Sequence, residues 1–299
     1  MKAALLTAYG DTPFEIADVI TPEPGPGEVL IRIAVSALNP FDQILRAGYM
    51  AAMIPLKLPA ILGSDAAGTV TKVGPDVTAF TPGDRVIADF APNGLGAQAE
   101  YGVVPVSAIA YLPDNLDFAQ GATLPKAGLT GRQAVESLNV RAGDRVLVSG
   151  ALGAVGRAAI QYLRELGAVP VAGVRQERLA EGRALAHEAV NINAVPGSAD
   201  FSYAISAAAP VVNNTLAHVR DGGKVTSIVP VLEGANADGR VHLQELYHRT
   251  DAATLLAVAH VAARGDLVIP IAARFPLDQI NDAYAALATG ASGKIILQH

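Results

Sequence analysis

The sequence predicts an α/β chain in which a doubly wound parallel sheet is joined to a mainly β, partly open barrel-like module. Three observations carry that prediction. Residues 145–175 read as strand, glycine turn, helix and strand. The residues before Asp114 read as many short strands separated by Gly- and Pro-rich turns. Beyond Arg175, strand-like and helix-like segments alternate.

The central unit comes first because the others are placed from it. Val146, Leu147 and Val148 form a short apolar run ending at Ser149-Gly150, as a strand buried on both faces does. Gly150, Gly153 and Gly156 follow. Val155, Ala159, Tyr162, Leu163 and Leu166 then recur at helical spacing. Gly167 stands where a helix C-terminus takes positive φ, and Val169 to Val174 is the second strand. Glycine here lets backbone approach a pyrophosphate, and the N–H groups of the helix start point at its charge. Gly150, Ala151, Gly153, Ala154, Val155 and Gly156 are therefore read as dinucleotide-binding, in the spacing G-A-x-G-x-x-G. An acidic residue at the end of the second strand would hold the ribose 2′-OH of NAD. Arg175 stands there instead, with Arg178 close behind, and a cation suits the 2′-phosphate of NADPH. Glu177 would reverse that preference if it turned toward the ribose.

A chain of 299 residues allows two domains or one large one. With 51% hydrophobic residues, 5% aromatics and no Trp, the core must be built from Ala, Val, Leu and Ile. No apolar run is long enough to span a bilayer, and Met1-Lys2 leads straight into a strand-like segment without a signal-peptide pattern. A cytoplasmic location is expected. A net charge of −6 without a basic run argues against nucleic acid or an anionic membrane as partner. The absence of Cys removes disulfides, thiolate metal sites and a Cys nucleophile.

Residues 2–8 and 14–20 read as two strands joined by a turn at Gly10-Asp11-Thr12-Pro13. From Val29 the pattern alternates, with Val29, Ile31, Ile33 and Val35 on one face and Leu30, Arg32, Ala34 and Ser36 on the other. Asn39-Pro40-Phe41-Asp42 ends that strand and starts a short helix, which Gly48 stops. After the central unit come a helix over Arg178–Ala186 and strands over Ala189–Ile192 and Ser202–Ser206. A turn at Asp221-Gly222-Gly223-Lys224 leads into a strand over Val225–Val229. Val229 and Pro230, at the carboxyl end of that strand, are placed near the nicotinamide. Val241–Leu246 is a further strand at the sheet edge, and Ala252–Ala263 a helix closed by Gly265. Ile269–Phe275, a helix over Leu277–Leu287 and a strand over Gly293–Leu297 finish the chain.

Taken in order, NPFD, LGSDAAGTV, GDRV, AEYG, LPKAGLT, GALGAVG and the closing FPLDQI and GKIIL resemble the medium-chain dehydrogenase/reductase superfamily. Within it the chain resembles the zinc-free NADPH quinone oxidoreductase and enoyl (alkenal) reductase branch. The resemblance implies a substrate domain over 1–118, a Rossmann cofactor domain over 119–265 and a return to the substrate domain over 266–299. It also implies a homodimer pairing at the edge strand. Thr130 matches the position expected to touch the nicotinamide-side phosphate. Ser206 stands where the family's fourth strand carries polar ribose contacts.

Zinc-dependent relatives carry a Cys and a His in the segments matching Asn39–Asp42 and Gly63–Asp65. Here these supply Asn39, Asp42, Ser64 and Asp65, a poor zinc set, so no metal is expected. The six His show no i, i+4 pair and no HExxH. Without a metal to acidify an alcohol, delivering hydride to a quinone or an α,β-unsaturated carbonyl is the more natural reaction. Three residues are candidates for the chemistry. Asn39 offers an amide donor to the nicotinamide or the substrate oxygen, or else caps the next helix. Tyr49 offers an acid or hydrogen-bond donor, or else packs. Lys126 is either a cation in the cleft or a snorkelling surface residue. The alternatives in reaction are an NADP-linked alcohol or aldehyde reductase and a non-catalytic NADPH-binding sensor.

Overall fold

The computed structural model describes residues 1–290 and 293–299. In chain order the first strands are β1 (Lys2–Leu6), β2 (Glu15–Asp18) and β3 (Glu28–Ala37), followed by helix α1 (Pro40–Arg46). Then come β4 (Ala60–Ile61), β5 (Asp65–Val73), β6 (Arg85–Asp89), β7 (Tyr101–Pro105) and β8 (Ile109–Tyr111). Helices α2 (Phe118–Ala122) and α3 (Pro125–Leu138) lead to β9 (Arg145–Ser149), α4 (Ala154–Glu165) and β10 (Val169–Val174). Next are α5 (Leu179–Ala186), β11 (Glu188–Asn191), β12 (Phe201–Ser206), α6 (Val212–Ala217), β13 (Val219–Ser227) and β14 (His242–Glu245). Helix α7 (Ala252–Ala263), β15 (Ile271–Pro276), α8 (Ile280–Ala288) and β16 (Lys294–Gln298) complete it. Among the described residues no helix is long and apolar enough to cross a membrane.

Internal contacts divide the chain into two compact units, Met1–Lys126 with Thr250–His299, and Ala127–Arg249. Helix α7, placed in the cofactor domain by the sequence boundaries, packs on β8 of the first unit.

The first unit is built on mainly antiparallel strands, with β15 and β16 the parallel pair. A small sheet runs β2-β1-β4, and a larger one β15-β16-β3-β5-β6-β8 with β7 also paired to β3. The larger sheet does not close on itself, because β15 and β8 stay unpaired as its ends. Val29, Ile31 and Ile33 turn into a core with Val86, Phe90 and Ile109. The opposite face of β3 is not simply solvated as its alternation suggests: Leu30 and Ser36 are buried and only Arg32 is exposed. Helix α2, packed against β3 and β5, covers part of that face. A second core joins α8 to the strands, with Leu6, Phe14, Leu38, Tyr284, Ile295 and Leu297 interlocked.

His299 follows β16 and bonds β3, its backbone N–H donating to Ala34 O at 3.1 Å. Its Nε2 lies 2.9 Å from Ser36 Oγ. The residue as a whole is half-buried, but Nδ1 reaches no solvent and has no partner among the described residues. Burial pushes the imidazole down to about 4. A ring whose pKa is lowered in the folded state contributes stability that is lost as pH falls from the ordinary value of 6.5 toward 4. His299→Gln should flatten that acid limb by about 1–3 kcal/mol, measured as urea unfolding at pH 4.5 and 7.

The second unit is a parallel sheet ordered β11-β10-β9-β12-β13-β14. Numbered from β9 this is the 3-2-1-4-5-6 order of a doubly wound dinucleotide-binding sheet, whose switch point lies between β9 and β12. Ser149 and Ser206 are register partners at the carboxyl ends of these two strands. Helix α4 packs on β9 and β10 through Ala159, Ile160 and Leu163. Its buried stripe is rotated from the expected one, since Val155 and Tyr162 are half-buried and Leu166 is exposed. The expected turn at Asp221–Lys224 falls inside β13. It forms an irregularity where Phe201 pairs with Val219 but Tyr203 with Lys224. Strand β14 is the sheet edge, as the sequence suggests.

Candidate active site

In the second unit the site begins where β9 ends. Gly150 has φ +70°, and a Cβ there would lie 2.9 Å from the carbonyl of Ala207. Gly153 is the N-cap of α4 and brings no side-chain cap. The N–H groups of Ala154, Val155 and Gly156 therefore have no intrahelical acceptor and remain for an anion. A Cβ on Gly156 would fall 2.4 Å from Gly150 O and 2.7 Å from Ala151 Cα, so helix and turn are in backbone contact. Buried Ala151 completes the turn.

The neighbouring strand end also suits a ligand. Thr215 Oγ1 donates to Ser149 Oγ at 2.9 Å and ties α6 to β9. Ser206 is fully buried and its hydroxyl has no partner among the described residues. These features fit a dinucleotide across the switch point. Val229 lies just beyond the end of β13, where it is half-buried and bonded to Ser227 Oγ, and Pro230 is exposed. Thr130 is buried on α3.

Arg175 is 64% exposed and its Nε sits 3.2 Å from Glu177 Oε1, so cation and carboxylate occupy the strand end together. Arg178 is held by Glu181 at 2.6 Å. A third guanidinium escaped the sequence reading. Arg157 follows Gly156, donates to Leu152 O at 3.1 Å, and is pushed down by burial and by the like charge of Arg178. Its position one residue past the last glycine was the available signal.

The first unit holds a buried polar cluster. Asp65 is fully buried at the start of β5. Its Oδ2 accepts from Lys294 Nζ at 2.6 Å and from Asn39 Nδ2 at 3.1 Å, and its Oδ1 from the backbone N–H of Lys126 at 2.7 Å. Lys294 also donates to Asn39 Oδ1 at 2.6 Å. Asn39 is thus oriented by its neighbours, with one amide hydrogen left over. Lys126 is buried rather than snorkelling. Its ammonium lies 3.3 Å from Asp89 Oδ1 and 5.7 Å from the centre of the Phe41 ring. Asp89 Oδ2 accepts from Thr250 at 2.6 Å.

Asp42 completes the set. It is the N3 residue of α1 and accepts the Asn39 backbone N–H at 2.8 Å, the returning half of a capping box, while Asn39 itself makes no side-chain cap bond. Such a carboxylate is usually wet, but this one is fully buried and is pushed up to about 7. Desolvation dominates; Asp65 raises it further, while the Asn39 N–H, Lys126 and Lys294 oppose. Charge counting agrees. Asp65 pairs with Lys294 and Asp89 with Lys126, so a proton on Asp42 leaves these two carboxylates matched by two ammonium groups.

Asn39 and Lys126 are therefore brought together on Asp65, whereas Tyr49 is not. It lies in the turns after α1, 83% exposed. Among the described residues no three His, Cys, Asp or Glu side chains are placed to hold a metal ion. The Asn39 and Asp65 atoms nearest a ligand role already bind the Lys294 ammonium. This donor set does not fit a zinc ion.

Comparison with known proteins agrees with this geometry. Residues 25–114 match the alcohol dehydrogenase GroES-like domain family and residues 166–297 the zinc-binding dehydrogenase family. The chain is 30% identical to the 2-methylene-furan-3-one reductase of Solanum lycopersicum, over 99% of this chain and 79% of that protein. It is 36% identical to the chloroplastic quinone-oxidoreductase QR1 of Triphysaria versicolor over 55% of its length, and spans about half (52%) of that relative. The quinone oxidoreductase structure from Coxiella burnetii superposes with a TM-score of 0.88 at 25% identity, covering 100% of this chain and 99% of that one. Doubly wound sheet, glycine turn, open and mainly antiparallel sheet and these likenesses together place the chain in the medium-chain dehydrogenase/reductase superfamily, in its quinone oxidoreductase and enoyl/alkenal reductase branch.

Proposed function

We propose that the chain is an NADPH-dependent reductase that delivers hydride to a quinone or to an activated alkene, without a metal. The observation that carries this is the Lys294 ammonium seated between Asn39 and Asp65, at the segments where zinc-dependent relatives bind their ion. The names of its relatives, quinone oxidoreductase and 2-methylene-furan-3-one reductase, support the choice of acceptor.

When bound, the reduced dinucleotide supplies the hydride. The α4 N-terminus and the glycine turn hold its pyrophosphate. Ser206 gives its free hydroxyl to the coenzyme, and Arg175 takes the 2′-phosphate. Val229 and Pro230 border the nicotinamide. The remaining amide hydrogen of Asn39 donates to the oxygen of the acceptor, where charge develops. We place the protein in the cytoplasm as a homodimer paired along the exposed edge of β14.

The test is loss of NADPH absorbance with a quinone or enone, set against an alcohol with NADP⁺, on protein assayed for metal. Turnover of the alcohol alone, or a stoichiometric tightly held divalent ion, overturns the reading. Arg175→Ala should raise the Kd for NADPH by about tenfold or more while leaving NADH nearly unchanged. Equal losses for both coenzymes would refute the phosphate contact.

A further inference from the structure

Asp42 has a second oxygen that the capping box does not use. Oδ1 is buried and has no hydrogen-bond partner among the described residues. It does not face packed hydrocarbon alone. Asp42 lines a cavity of about 10 Å³ together with Leu45, Leu62, Ser64, Pro92 and Gly96. That is the volume one water needs. Ser64 is itself buried and lines the same space, and its carbonyl accepts from the Phe90 N–H at 2.7 Å. A buried carboxyl oxygen without a partner among the described residues and a buried serine thus share one water-sized space, the elements a short proton path requires.

We propose that Asp42 is the source of the second proton. Its carboxyl passes a proton through one water in this cavity to the Ser64 hydroxyl, which donates to the oxygen of the reduced acceptor. The assignment builds on the hydride-transfer reading above and deepens it. Hydride brings the acceptor two electrons and one hydrogen and leaves an oxyanion. The Ser64 O–H bond breaks as the acceptor O–H forms. The water reprotonates Ser64, and the Asp42 O–H replaces the proton taken from the water. Asp42 is left as carboxylate, and one solvent proton restores it. The product is a hydroquinone, or an enol that becomes the saturated ketone.

Burial favours the protonated carboxyl, as such a donor needs, and the group is pushed up to about 7. The charged and titratable groups that face it are Asp65 from β5, Lys126 from α3, Lys294 from β16 and Tyr284 from α8. Tyr284 OH accepts from Gln98 Nε2 at 2.8 Å, and burial first, then the charge of ionised Asp42, pushes its phenol well above the ordinary value, so it stays neutral over the working range. Ser64 would be the catalytic residue, and Asp42 acts through it.

Two measurements test this. In ligand-free protein, carbon-13 NMR of labelled aspartate should show one carboxyl titrating near 7 that Asp42→Asn removes. An ordinary titration near 4 for Asp42 overturns the proposal. In turnover, wild-type kcat should fall above that pH. Asp42→Asn keeps the cap acceptor, should lower kcat by about a hundredfold, and should abolish that limb. Ser64→Ala should slow turnover as much while leaving the Asp42 titration in place. Full rate in either variant, or an unchanged limb in Asp42→Asn, removes the relay but leaves the reductase standing. Failure of the wild type to oxidise NADPH with any quinone or enone removes both, whatever the carboxyl titration shows.

Discussion

Lys294→Met is expected to destabilise the folded chain by about 3–5 kcal/mol, because it strands a buried carboxylate. Asp65 is fully buried and Lys294 is 5% exposed, so water cannot take over the lost contact. Asn39 Nδ2 and the Lys126 N–H would remain on Asp65, but neither brings a compensating charge. The cluster would then hold three carboxyls against one ammonium, and further protons would be taken up. The loss should therefore be smaller at pH 5 than at pH 8, where the uptake is harder. Adding Asp65→Leu to Lys294→Met should recover part of the loss, since removing both partners avoids the orphaned charge. Urea unfolding of the wild type, the single variants and the double variant closes the cycle. A single-variant loss below 1 kcal/mol would mean that the pair is far better solvated than its geometry indicates.

What was legible in the sequence is local, and what was not is assembled from distant positions. The run from Arg145 to Val174 declares itself because each signal acts on its neighbours: apolar strand, glycine turn, helical spacing, Gly167 at the helix end with φ +73°. Helix α7 was found to the residue for the same reason. Asp251 caps it by accepting the Thr254 N–H, and Gly265 follows with φ +81°. Its company was not readable, since packing on β8 is a tertiary matter. The buried cluster lay further still from view. Asn39, Asp65, Asp89, Lys126 and Lys294 are scattered across most of the chain, and nothing around Lys294 in GKIIL says that its ammonium reaches Asn39. Asp42 was read only as the start of a helix and a poor metal ligand. Its burial follows from the sheet and from α8 around it, not from its neighbours in sequence. Tyr49 shows the converse: a residue just past Gly48 can turn either way, and it turns to solvent.

Gly156→Ala and Gly153→Ala should separate two demands that the glycine turn makes. A methyl on Gly156 would sit 2.4 Å from Gly150 O and 2.7 Å from Ala151 Cα, both backbone atoms that cannot rotate away. Helix α4 must then back off the turn, at a cost of about 3 kcal/mol in stability, with loss of dinucleotide affinity as the cradle opens. Gly153 is different. Its φ of −74° suits any residue, and its methyl would meet only Gly150 O at 3.2 Å. Gly153→Ala should keep stability within about 1 kcal/mol, the cost of alanine at an N-cap. It should still weaken coenzyme binding by tenfold or more, because the methyl stands where backbone must approach the pyrophosphate. Thermal unfolding and coenzyme titration of both variants decide the matter. Equal stability losses in the two, or a Gly153→Ala variant that binds as tightly as the wild type, would show that the pyrophosphate does not lie on the α4 N-terminus.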